Sequence, residues 1–163
     1  MRFCLILILV LMHSGCASRI YVPPTTGTLA TVDFYFPGTD WTSVVGVFED
    51  GENCKGLKYV QYLANLEKIS VTVNSNRKGY FFVATNSPRQ GAIYQNWSHC
   101  STAMAFQVAE ERYEVYSGIR GEHCIFNVSA VTVDGKKYRP DVEYREYVQD
   151  SFAGLDSLSY CKE

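Results

Sequence analysis

Three things are scarce in this sequence: charge of one sign, helical periodicity and long apolar runs. Each scarcity excludes a class of protein. Fifteen basic and seventeen acidic residues leave a formal net charge of -2. That balance offers no basic stripe for nucleic acid. Hydrophobic residues make up 47% of the chain, too many beside so weak a charge for intrinsic disorder. No twelve-residue window repeats its apolar positions at helical spacing, which excludes a helical bundle or coiled coil. There is no GxSxG, no HExxH and no glycine-rich phosphate loop. The adjacent Glu110 and Glu111 sit at a predicted turn and read as a solvated tip, not as an acid/base pair. No CxxC spacing supports a zinc site. The expectation is a protein that is not an enzyme and needs no cofactor.

Aromatic residues (12 Tyr, 9 Phe, 2 Trp) and a period of two are abundant instead. Residues 29–36 alternate Ala30, Val32, Phe34 and Phe36 against a more polar set, and Pro37-Gly38-Thr39-Asp40 breaks the run. Further strands are predicted over residues 43–49, 57–63, 68–73 and 80–85, with Ile69, Val71 and Val73 facing inward. Residues 86–99 read as a loop. Residues 102–108, 113–118 and 124–133 read as a three-strand meander. Val133-Asp134-Gly135-Lys136 predicts a type I′ hairpin turn that returns through residues 136–139. Residues 142–148 fit either a strand or a short helix. Roughly seven to nine short strands at this spacing predict an all-β fold, a single antiparallel β-sandwich of immunoglobulin-like or transthyretin-like type.

The N-terminus is built differently. Arg2 supplies one positive charge, residues 3–12 are apolar, and His13-Ser14-Gly15-Cys16 closes the segment with small residues. Ten apolar residues are too few to span a bilayer, so residues 1–15 read as a signal peptide. Ser14-Gly15-Cys16-Ala17-Ser18 resembles a bacterial lipobox, in which the peptide is cut before a diacylated cysteine. His13 departs from that motif, which prefers Leu. The alternative is an ordinary signal peptide cut near Ala17 or Ser18. Under the lipobox reading Cys16 carries the lipid and residues 16–28, rich in Pro and Thr, form a tether. Residues 29–163 then form the domain. Ala17 after the cysteine resembles the pattern for release to the outer membrane.

Cys4 leaves with the signal, so Cys54, Cys100, Cys124 and Cys161 remain, an even number in an oxidising compartment. Three connectivities are open. Strand parity turns both Cys100 and Cys124 toward the core, which leans toward Cys100–Cys124 with Cys54–Cys161. Against this, strands that flank a common middle strand lie roughly 9–10 Å apart, beyond disulfide reach.

These elements together resemble a loose group of small, uncharacterised proteobacterial lipoproteins with β-sandwich domains. The residues that carry the likeness are Ser14-Gly15-Cys16, Cys54 after an acidic turn, Ile69 to Val73 with its aromatic partner from Tyr80, and Cys100 and Cys124 on later strands. The resemblance implies a fold and an envelope address and transfers no catalytic residue. The expected function is a membrane-anchored envelope lipoprotein that binds or scaffolds a protein or glycan of the envelope, reached through its lipid anchor. Trp41, Tyr94, Asn96 and Trp97 are the candidate aromatic binding surface. His99 and His123, each directly before a cysteine, are candidate metal ligands without an evident third. Ser117 to Gly121 resembles the Ser/Gly loop of lipoprotein lysozyme inhibitors, which implies a periplasmic hydrolase inhibitor as one alternative function; a weak metal-binding enzyme around His99 and His123 is the other. Asn96-Trp-Ser98 and Asn127-Val-Ser129 fit glycosylation sequons that are inert in a bacterium.

Overall fold

The computed structural model describes residues 20–36, 42–64, 67–88, 97–120, 123–148 and 160–162. These form eleven strands and no helix: β1 (Leu29–Tyr35), β2 (Thr42–Asp50), β3 (Lys55–Ala64), β4 (Lys68–Asn74), β5 (Arg77–Pro88), β6 (Trp97–Val108), β7 (Arg112–Arg120), β8 (His123–Val131), β9 (Lys137–Tyr138), β10 (Val142–Val148) and β11 (Tyr160–Lys162). Five strands in the order β4-β1-β7-β8-β9 make one sheet, and six in the order β11-β10-β6-β5-β2-β3 make the other. Every pairing is antiparallel except β1 with β7, which is parallel. The two mostly antiparallel sheets make the predicted β-sandwich.

Period-two alternation builds the inter-sheet core. Ile69, Val71 and Val73 of β4 are buried as expected, facing Val32 and Phe34 of β1 and Phe81, Val83, Met104 and Phe106 from the opposite sheet. Phe81 is the hub, 5.8 Å from Phe34 and 5.2 Å from Phe106 between ring centroids. Phe106 in turn meets Tyr113 at 5.0 Å.

The six-stranded sheet is buried on its other face as well. Val44, Phe48, Leu57, Phe82, Ala84 and Ala103 form a second cluster there, and Tyr80 and Tyr147 pack against it. β5 is therefore buried continuously from Phe81 to Thr85, which explains a run of apolar residues where a half-solvated strand would alternate. The β2–β3 turn covers part of this face. Gly51 lies on the Tyr80 ring so closely that a Cβ there would sit 1.8 Å from Tyr80 Cγ. Cys54 of the same turn bonds Cys161 of β11, linking the β2–β3 end of the sheet to the opposite edge.

Several expectations need correction. The three-strand meander does not exist, because β6 belongs to the six-stranded sheet and β7 to the other. The Cys100–Cys124 disulfide consequently joins the two sheets, and the spacing of strands within one sheet places no limit on it. Cys100 is buried as expected, but Cys124 is exposed. The segment read as a loop over 86–99 is strand at both ends, with Asn86 paired to His99 and Pro88 to Trp97. The turn after β8 is a three-residue connection in which Gly135 N–H donates to Thr132 O at 2.8 Å and only Gly135 has positive φ (82°). That is a type I turn closed by a left-handed glycine, not type I′. Residues 142–148 are strand, and β11 had no counterpart in the sequence reading.

One crossing between the sheets is held by a single side chain. Tyr113 is fully buried. Its hydroxyl accepts from Ala109 N–H (2.8 Å) and Glu110 N–H (3.0 Å) and donates to Gln107 O (3.1 Å). It thereby ties down the β6–β7 corner from within the core. Tyr113→Phe leaves those three backbone groups without their partner. The expected loss is about 2 kcal/mol of unfolding free energy, read by urea denaturation with an unchanged m-value. The disulfides close loops of very different length, with sequence separations of 107 for Cys54–Cys161 and 24 for Cys100–Cys124. Loop-closure entropy predicts losses of about 4.8 and about 3.5 kcal/mol on their removal. The C54A/C161A variant is thus expected to melt below C100A/C124A in calorimetry.

Candidate functional site

Trp41, Tyr94 and Asn96 lie outside the described residues, as does Cys16. Trp97 opens β6 opposite Pro88. His99 and His123 are both exposed and stand beside the disulfide that joins the sheets. His99 Nδ1 lies 2.5 Å from Asn86 Oδ1, so one ring nitrogen is engaged by an amide. Among the described residues no three His, Cys, Asp or Glu side chains gather in a metal-binding group. Ser117 to Arg120 belong to strand β7, and the Ser117 hydroxyl is buried 2.9 Å from Thr85 Oγ1. Ser117 thus joins the two sheets, and Gly121 lies outside the described residues.

Two features stand out that the sequence reading did not single out. The first covers the outer face of the five-stranded sheet. Asp33 of β1 is buried to 2% exposure. It accepts a hydrogen bond from Ser70 (2.7 Å) and pairs with Lys68 and Arg112, both at 3.0 Å. Glu114 is its neighbour across the parallel pairing. It is bonded by Lys137 at 2.5 Å and approached by Arg112 at 3.6 Å. Arg112 thus lies between two carboxylates whose repulsion would otherwise oppose this register. Tyr35 stacks on Tyr116 at 5.0 Å beside them, with Lys68 over the Tyr35 ring. The sequence signal for this network was an aspartate inside an otherwise aromatic and β-branched strand.

The second is a cleft of about 770 Å³ at the end of the sandwich where β4 turns into β5. Val47, Phe48, Val73 and Phe81 give it apolar walls, while Lys58, Arg77 and Lys78 supply its cations. Glu49 is the single carboxylate among the described lining residues, and it pairs with Lys58 at 3.6 Å. Lys78 is matched by Glu143 (2.8 Å) and Glu52 (4.0 Å). Arg77 has no ion pair among the described residues.

Ile20, Tyr21 and Val22, from the segment expected to be a tether, line one side of this cleft. Tyr21 N–H donates to Tyr59 O at 2.9 Å, and the Tyr21 hydroxyl donates to Thr72 O at 2.8 Å. Burial raises the Tyr21 phenol above its ordinary value, an effect Arg77 partly offsets, so the hydroxyl keeps its proton and its donor role at neutral pH. Tyr21 therefore bridges β3 of one sheet and β4 of the other. Apolar walls beside cations suit a ligand with an apolar body and an anionic group. Comparison with known proteins finds no matching family model, no similar curated protein and no similar solved structure.

Burial alone would push the Asp33 carboxyl up, but the Ser70 hydroxyl, Lys68 and Arg112 outweigh it and hold the group below its ordinary value. Such a carboxylate stabilises the fold above the unfolded pKa, and the contribution is lost as pH falls through the lowered folded pKa. Its cationic partners are about half exposed, which limits the effect. Asp33→Asn is expected to cost about 1–2 kcal/mol at pH 7. The difference from the native chain should shrink as the pH drops below about 4, measured by denaturant titration across that range.

Proposed function

We propose that this chain is a membrane-anchored lipoprotein of the cell envelope, held on the outer membrane by lipid on Cys16. On this reading its sandwich binds or scaffolds another envelope component and catalyses no reaction. One observation carries the reading. The sequence places a lipobox-like cysteine four residues before Ile20, and at Ile20 and Tyr21 the chain is already pairing with β3. A folded module that begins this close to an acylated residue is built to work at a membrane surface. The two disulfides suit an oxidising compartment.

Within sandwiches we assign the immunoglobulin-like type ahead of the transthyretin-like one. Support comes from the Tyr113 hydroxyl, which bonds back to Gln107, Ala109 and Glu110 at a corner between sheets, the arrangement known as a tyrosine corner. The binding role rests on the cleft beside Tyr21, because a concave, mostly apolar site with a few placed charges is the usual form of a ligand site.

Metabolic labelling with palmitate tests the anchor. The native chain is expected to take up label in a membrane fraction, to lose it in Cys16→Ala, and to accumulate as a larger precursor in globomycin. An unlabelled native chain that is nevertheless processed and secreted overturns the reading.

A further inference from the structure

We infer that the domain rests on the bilayer with its cleft end downward, so that Ile20 and Val22 enter the interface and Arg77 meets anionic lipid headgroups. The inference rests on the lipoprotein reading and adds to it an orientation and a partner. Tyr21 is pinned to β3 and β4 by its amide and its hydroxyl, and its neighbours Ile20 and Val22 line the cleft beside it. Ile20 is 69% and Val22 78% exposed, two apolar side chains held out on either side of a fixed residue.

Cys16 lies four residues before Ile20. At about 3.5 Å per residue, the anchored cysteine reaches no more than about 14 Å from it. A flexible tether would let the domain tumble. Here Cys16 is only four residues from Ile20, which bridges Tyr59 in parallel, so the described chain enters running with β3 from the end of the sandwich where β3 begins. Strand register identifies that end: Leu29 pairs with Asn74, whereas Tyr35, Tyr116 and then Ile125 lie toward the other. Ala17-Ser18-Arg19, the intervening sequence, carries one positive charge and no negative one. Lys58 and Lys78 are already matched by carboxylates, whereas Arg77, on a chain of net negative charge, has no ion pair among the described residues. Apolar side chains flanked by basic ones are the composition that seats a protein in a headgroup layer.

The test uses the full chain purified from membranes, with Cys16 acylation read by mass spectrometry on the same sample. It is reconstituted in phosphatidylcholine vesicles containing phosphatidylglycerol and brominated lipid. Val22→Trp and Ile125→Trp place reporters at exposed positions on the two ends, with the native chain as background. The expected result is a blue shift and loss of emission for Val22→Trp and neither for Ile125→Trp. Arg77→Glu in the Val22→Trp chain is expected to weaken that quenching, and omission of phosphatidylglycerol to do the same. Equal quenching of both reporters on an acylated chain overturns the orientation and leaves the lipoprotein reading standing. A Cys16 without acyl chains overturns both. Quenching indifferent to Arg77→Glu and to phosphatidylglycerol overturns the headgroup contact.

Discussion

β5 is buried on both of its faces, and the rest of the molecule is arranged around that burial. Phe81 and Val83 fill the space between the sheets, while Phe82 and Ala84 point the other way. A sandwich needs only its inner faces covered, so this outer face demands its own roof. The turn at Gly51 to Cys54 supplies part of it, with β10 and β11 contributing Tyr147 and Cys161 from the far edge. Tyr147 lies 5.5 Å from Phe48 and 4.9 Å from Phe82 between ring centroids. The Cys54–Cys161 bond joins the two sides of the roof. Each large side chain so enclosed contributes roughly 1.5–3 kcal/mol relative to exposure.

The polar chemistry follows from the same arrangement. Glu52 comes with the turn, and Tyr80 and Arg145 donate to it. Lys78 then lies between Glu52 and Glu143, so the roof is fastened by charges as well as by sulfur. Lys78 and Tyr80 also line the cleft. Closure of the second core thus engages Lys78, while Arg77, one residue earlier, has no ion pair among the described residues. On the opposite sheet the outer face stays polar, and its charges are paired through Arg112 and Asp33.

The sequence was most readable where one face meets water. β4 alternates cleanly because its outer residues are exposed or half-buried, and hydropathy records such a division. The apolar run from Tyr80 carried the second core in plain sight, but a continuous run does not say what covers it. No described side chain of β10 is fully buried, so its pattern is polar enough to fit a helix. β11 has three residues and no pattern at all. The passage of β6 and β7 into different sheets was illegible for another reason: period two reports which face is buried, never which sheet the strand joins. Of the candidate binding residues, the aromatics were chosen by type. The cleft depends on Tyr21 meeting Tyr59 and, 51 positions later, Thr72, contacts that no local pattern encodes.

The double burial of the six-stranded sheet is tested most directly by hydroxyl-radical footprinting of the oxidised chain. Phe48 and Phe82, at 6% and 9% exposure, are expected to react far more slowly than Tyr144 at 40%. Modification of Phe48 and Phe82 at rates normal for exposed phenylalanine would mean a solvated outer face, and would contradict this account of the fold.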